Sequence, residues 1–128
     1  MGATMVGEKC EFTMCAGTHG STFGGNPVCA SGGLVVMSRL TDEFLSEVTK
    51  KGEYIRTRLS KLAKVKSISG LGLMLGVETD DAVKVKNECL DNGLIVLTAK
   101  DKLRLLPALT ITWEELDKGL EIMEKILG

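Results

Sequence analysis

Between residues 17 and 27 the chain reads Gly17-Thr18-His19-Gly20-Ser21-Thr22-Phe23-Gly24-Gly25-Asn26-Pro27. Glycines free the backbone N–H groups to turn towards one point, and Ser and Thr add neutral hydroxyl donors, a combination that suits a phosphate group. A flexible loop or a buried turn would use the same residues. The stretch lacks the lysine of a nucleotide-binding P-loop, and Gly70-Leu71-Gly72-Leu73-Met74-Leu75-Gly76 misses the dinucleotide spacing and opens no helix. A second chemical candidate is Arg104 in Leu103-Arg104-Leu105-Leu106-Pro107. An arginine inside an apolar run reaches for water, pairs with an acid, or grips a carboxylate with its two-pronged guanidinium. Cys10, Cys15, His19 and Cys29 are the right types for zinc, but their spacing follows no zinc pattern and they read as free, buried thiols and a loop or packing residue. His19, the only histidine, is a general base in principle, yet no partner carboxylate is visible beside it.

The elements that must hold these residues follow from periodicity. Asn26 then Pro27 is a helix start, Asn as cap and Pro at the first helical position, and the uncharged residues to about Met37 predict a helix buried on most sides. Gly2 to Val6 reads as a short buried strand, and Glu8-Lys9-Cys10-Glu11 as a polar turn. From Thr41, Leu45, Val48, Ile55, Leu59 and Leu62 recur at three and four residues, with Gly52 in the remaining place, which predicts an amphipathic helix of about six turns. Lys50, Lys51, Glu53, Arg56 and Arg58 then form its solvated face. Val65 to Ser69 and Leu73 to Glu78 predict two strands meeting at a glycine turn. Asp80 or Asp81 caps a helix that stops at Asn92-Gly93. Leu94 to Thr98 and Leu103 to Leu106 are two more strands, and Thr112-Trp113-Glu114-Glu115 opens a last helix with a capping box, Ile111 and Leu116 stapling it. The alternation places Arg104 on the face opposite Leu103 and Leu105.

The 128 residues are 44% apolar, and 16 Lys+Arg against 17 Asp+Glu leave a charge of -1. A nucleic-acid or anionic-membrane partner would require a basic footprint that is missing here, and no apolar run is long enough for a membrane span. The first residues lack the basic flank and apolar core of a secretion signal, so the expected compartment is the cytoplasm. Charge is divided unevenly: residues 1–40 hold only Glu8, Lys9, Glu11 and Arg39 as charges, together with eight of the fifteen glycines. Residues 41–128 read as a self-sufficient domain, and 1–40 as chain that something else covers.

Residues 17–27, and Leu103-Arg104-Leu105-Leu106-Pro107-Ala108-Leu109-Thr110-Ile111-Thr112, resemble the class III pyridoxal-phosphate-dependent aminotransferases of fold type I. Lys51-Gly52-Glu53-Tyr54, residues 70–78 and Asn92-Gly93-Leu94 are similar to the family's intervening segments in the same order, so the resemblance covers the whole chain. Its second motif narrows it towards the branch acting on acetylornithine and succinylornithine. The resemblance implies a threonine, here Thr22, on the cofactor phosphate of the neighbouring subunit in a homodimer, with Ser21 beside it. It implies that Arg104 grips the substrate's α-carboxylate. The family's Schiff-base lysine stands in a Ser/Ala-Lys-Gly-x-Gly-Gly-Gly-like stretch just before the Gly-Ala matched here by Gly2-Ala3, and none of the twelve lysines has that context. The aspartate and ring-stacking aromatic of the cofactor site also lie upstream in the family, and Gly32-Gly33 stands where it usually has alanines.

The expectation is therefore an α/β (α+β) chain with a short, mostly antiparallel sheet and helices packed on it. Residues 1–27 would be the tail of a large cofactor domain, 28–40 an interdomain helix, and 41–128 the small C-terminal domain. Intact, such an enzyme would exchange an amino group between N-acetylornithine and 2-oxoglutarate, as in arginine biosynthesis, using pyridoxal phosphate. The isolated chain would be inactive for want of the lysine, carry no covalently bound cofactor and need no metal. The competing expectation is a noncatalytic small α/β binding or dimerisation module.

Overall fold

The structure, a computed structural model, describes residues 2 and 4–128. By its internal contacts the chain divides into two compact units, Met1–Thr41 and Asp42–Gly128.

In the first unit a short 3-10 turn at Glu8–Cys10 precedes a run of turns, and helix α1 spans Pro27–Arg39. The Asn26 side chain accepts hydrogen bonds from the Val28 and Cys29 amides at 3.0 and 3.2 Å, while Pro27, with no N–H of its own, fills the first position. The helix start follows the sequence, but the burial does not. None of the residues of α1 is buried, and Val28, Leu34 and Met37 stand exposed. The expected strand at Gly2 to Val6 is also absent from its described residues: Met5 and Val6 are exposed, and residues 4–6 form no ladder, without which an extended segment is not a strand. Ala3 lies outside the described residues.

The second unit begins with α2, Asp42–Leu59, one turn shorter than its apolar period suggests because Leu62 falls in the following turn. Strands β1 (Ser67–Leu71) and β2 (Met74–Glu78), helix α3 (Ala82–Asp91), strands β3 (Leu97–Ala99) and β4 (Lys102–Leu105), and helix α4 (Trp113–Leu127) follow. All pairings are antiparallel and the sheet order is β1-β2-β4-β3. Alternation sends Leu75, Val77, Leu103 and Leu105 inward, where they form one core with Ile55 and Leu59 of α2, Val85 and Cys89 of α3, and Leu116, Leu120, Met123 and Leu127 of α4. Gly76, Glu78, Lys102 and Arg104 occupy the other face. Asp81, not Asp80, caps α3, and Gly93 ends it at φ 83°. The capping box of α4 forms in full between Thr112 and Glu115.

The glycine cluster at 70–76 builds the β1–β2 hairpin. Leu71 faces Met74 across the two-residue connection Gly72-Leu73, and Gly72 takes φ 52° there. That turn lies against α2, where a Cβ on Gly52 would collide with the Gly72 carbonyl. The gap at position 52 in the apolar stripe is thus a point of close backbone approach. Leu45, expected in the core, is 45% exposed.

Lys50 and Glu53 are exposed as expected, but the other three members of the expected solvated face are not. Lys51 is buried and its Nζ donates to the Ile111 carbonyl. Arg56 donates to the Ile68 and Gly70 carbonyls. Arg58 binds Glu124 through Nε and Nη2 and Asp117 through Nη1. Each bridges α2 to a neighbouring element, which periodicity within one helix does not reveal.

Candidate functional site

Arg104 sits in the middle of the sheet, opposite Gly76 of β2 and Leu97 of β3. Both neighbours are poor in polar atoms. Lys102, two residues earlier on the same face, has partners: its Nζ lies 3.6 Å from Glu78 Oε2 and 3.4 Å from Ser69 Oγ. The Ser67 hydroxyl donates to the same Glu78 oxygen at 2.6 Å, and with Lys102 it holds that carboxyl below its ordinary range. Arg104 has no such arrangement. Its Nε is sealed from solvent and meets no acceptor among the described residues, and none of their carboxylates pairs with it. A buried, unanswered guanidinium N–H costs about 1–3 kcal/mol or more, so an acceptor brought to it is favoured.

Arg104 borders an apolar cleft of about 320 Å³ within the second unit. The β3–β4 ladder begins at Leu97 opposite Arg104, so Leu94 to Val96 approach the sheet unpaired and Leu105 and Leu106 continue past it. The cleft opens at this sheet end, with Leu116, Gly119, Leu120 and Met123 of α4 as its other wall. Its one acidic neighbour, Glu115, is occupied: it accepts from the Thr112 amide and hydroxyl at 2.9 and 2.8 Å, which lowers its pKa. The loop from Leu106 to Ile111 borders the cleft and is tied to α2 by Lys51 at 2.7 Å. Sequence reasoning misses both Lys51 and the cleft. The signal for the latter is the apolar run at 94–97 beside an equally apolar stretch ending in Pro107.

Ser21 and Thr22 belong to the first unit and Arg104 to the second. Both are exposed, and among the described residues neither hydroxyl makes a hydrogen bond, while the Gly24 amide donates to the Ser21 carbonyl at 3.2 Å and Gly25 takes φ 71°. The loop thus offers two free neutral hydroxyls on a glycine-turned backbone. Cys10, Cys15 and Cys29 are exposed, which corrects their expected burial; Cys89 is the buried thiol, its pKa raised by burial and then by Glu88. His19 is exposed as well. The described residues contain no helix long and apolar enough to cross a membrane.

Known proteins are similar to this chain in sequence and fold. The family model described as aminotransferase class-III matches residues 1–127. Acetylornithine aminotransferase of Haemophilus ducreyi is 45% identical over 131 residues, covering 100% of this chain and 33% of the relative. The enzyme of the same name from Lactococcus lactis is 43% identical, covering 98% and 36%. Among solved structures, acetylornithine aminotransferase from Elizabethkingia anophelis superposes with a TM-score of 0.75 at 28% identity, covering 89% of this chain and 33% of that one. Ornithine aminotransferase from Toxoplasma gondii gives 0.75 at 30% identity, covering 89% and 30%. The chain spans about a third of the length of these relatives.

Proposed function

Because one family model matches it from residue 1 to 127, the chain belongs to the class-III aminotransferases, and from that premise we propose that it supplies the substrate-gripping small domain of an enzyme that moves an amino group between N-acetylornithine and 2-oxoglutarate. The relatives carrying the acetylornithine aminotransferase name and the unpaired Arg104 Nε support this reading. Arg104 is the carrying observation: a guanidinium held between Gly76 and Leu97, with no internal anion, is ready to receive a carboxylate through two parallel hydrogen bonds.

The implied cofactor is pyridoxal phosphate. The residues present fit its phosphate end only, through the free hydroxyls of Ser21 and Thr22 on their glycine-turned loop. When bound, that cofactor supplies the electron sink on which amino transfer depends. In the homodimer we infer, Thr22 and Ser21 reach the phosphate of the neighbouring subunit, and Arg104 fixes the orientation of the substrate by its carboxylate. No lysine of this chain stands in the context that anchors the cofactor, so the 128 residues alone are expected to be inactive. In domain terms, 1–27 is the end of the cofactor domain, 28–40 the interdomain helix and 41–128 the small domain. The compartment that goes with this reading is the cytoplasm.

Arg104→Ala in the intact enzyme tests the reading. The amino-acid KM should rise and kcat/KM fall by about a hundredfold or more. Wild-type kinetics would remove Arg104 from its role. A second reading, a noncatalytic module that dimerises through the first forty residues, is favoured by the exposed Val28, Leu34 and Met37 of α1. Borohydride reduction of the chain mixed with pyridoxal phosphate addresses the lysine: a stoichiometric adduct at one site would overturn the claim that its anchor is missing.

A further inference from the structure

We propose that the free edge of strand β1 is a self-pairing surface, its partner a second copy of this chain, and that Arg56 of helix α2 holds that edge shut.

Strand β1 is outermost in the order β1-β2-β4-β3, so one of its edges has no strand beside it. Such an edge turns carbonyls and amides outward on alternate residues and is a template for strand addition. The opposite edge, β3, is only three residues long, whereas β1 has five, four of them exposed. Edge strands commonly repel a partner with a charge or a proline, but Ser67-Ile68-Ser69-Gly70-Leu71 contains neither. The block comes from another element. Arg56 Nη1 donates to the Ile68 carbonyl at 3.1 Å and Nη2 to the Gly70 carbonyl at 2.6 Å. These residues flank Ser69, which faces Gly76 of β2, so the guanidinium occupies the two carbonyls that a fifth strand would use. Its planar fork spans both acceptors at once, which a single ammonium does not. Glu53, one turn earlier on α2, lies 3.7 Å from Arg56 Nε and steadies the remaining nitrogen. Two β1 edges paired antiparallel about a twofold axis at Ser69 bring Ile68 opposite Gly70 on both sides of the axis and Ser69 opposite its own copy. This self-complementarity points to a second copy as the occupant.

The test is sedimentation of the full chain over a range of concentrations, each variant compared with the parent. Arg56→Met keeps the aliphatic stem and removes the fork. At about 1 mM its weight-average mass should exceed that of the parent by about half, as for a Kd on the order of 1 mM, and the Ile68 amide should gain protection from hydrogen exchange in step with the mass. Adding Ser69→Asp sets two carboxylates opposite each other at the axis, while within one chain the new carboxylate lies beside Lys102, whose Nζ is 3.4 Å from Ser69 Oγ. The double variant should return to the parent's mass. If Arg56→Met keeps the parent's mass at every concentration, the proposal falls and Arg56 only ties α2 to β1. Equal association of the single and double variants, or an Ile68 amide that stays unprotected, would place the contact on another surface and overturn it as well. Should Arg56→Met fail to fold, Arg56→Lys decides: one ammonium leaves a carbonyl uncovered, so its mass should rise less steeply, and a mass equal to the parent's would overturn the proposal.

Discussion

The Nζ of Lys51 donates a 2.7 Å hydrogen bond to the carbonyl of Ile111, sixty residues away, and Lys51 is only 7% exposed. The ammonium also lies 5.6 Å from the ring centroid of Trp113, whose Nε1 donates to Glu47 of the same helix α2 at 2.6 Å. One buried cation therefore fastens α2 to the loop that borders the Arg104 cleft and to the first residue of α4.

That fastening has a measurable consequence. Lys51→Met keeps most of the aliphatic stem but leaves the Ile111 carbonyl without its donor. The expected cost is about 1–3 kcal/mol in urea denaturation, since an unanswered buried acceptor is more expensive than the net worth of an average hydrogen bond. A solvated lysine would tolerate the same change, so equal stability of Lys51→Met and the parent would show that the contact carries no weight.

Arg58 supports a prediction about pH. It binds Glu124 with two nitrogens at 2.7 and 2.6 Å and Asp117 at 2.7 Å, its own basicity raised chiefly by the hydrogen bonds to Glu124, while the Glu124 carboxyl is pulled below its ordinary 4.5 by the same bonds. Asp80, bonded to Lys66, and Glu115, bonded to Thr112, are lowered in the same direction. A carboxyl that is more acidic folded than unfolded stabilises the fold above its unfolded pKa, and that stability is lost as pH falls through the folded value. Denaturation midpoints should hold steady above about pH 5 and decline below about 4.5. Arg58→Ala should cost about 2 kcal/mol at neutral pH and flatten the acid decline, because Glu124 then titrates at similar pH folded and unfolded. An unchanged acid slope in that variant would assign the decline to other carboxyls.

The sequence and structure agree where a signal is local and part where it is not. Asn26-Pro27, Asn92-Gly93 and Thr112-Trp113-Glu114-Glu115 act within one helical turn, and each produces the boundary its residues specify. The alternation around Arg104 likewise sets its face, because a strand has a period of two whatever it pairs with. Lys51, Arg56 and Arg58 escape such reasoning because the acceptors that bind them, at Ile111, Ile68 and Glu124, belong to other elements. The uncharged composition of helix α1 predicts burial, yet composition states a demand for cover and does not provide it. For the candidate site, Arg104 is visible as a charge in an apolar run. The cleft beside it depends on where β3 starts to pair, which only the register discloses.

The two units should also differ in protection. Residues 8–26 are exposed but for Asn26, and their backbone bonds are isolated turns such as Thr13 N to Cys10 O and Thr18 N to Cys15 O. Residues of β2, β4 and α4 surround the core. In hydrogen exchange followed by mass spectrometry, 8–26 should exchange within seconds, whereas the amides of Leu75, Val77, Leu103 and Leu120 should persist for hours. Uniform protection along the chain would contradict this division.

Gly52 gives the sharpest opposition between local and tertiary effects. In the interior of α2, replacing glycine by alanine ordinarily stabilises by about 1 kcal/mol, because alanine loses less backbone entropy and is the better helix former. Here the added methyl meets the Gly72 carbonyl, backbone that cannot rotate away, in a turn whose φ of 52° is itself fixed by the hairpin register of Leu71 opposite Met74. Relief requires α2 to lift from the hairpin, loosening Val48, which lies 3.4 Å from the position a Cβ would take on Gly72. Overpacking of this kind costs about 1–3 kcal/mol, enough to reverse the sign. Gly52→Ala should therefore lower the urea midpoint, and the same substitution at Gly119 on α4, where the nearest atom to a new Cβ is a flexible Leu94 methyl at 3.5 Å, should raise it. If both variants are stabilised, helix propensity governs position 52 and the close approach of α2 to the hairpin does not constrain it.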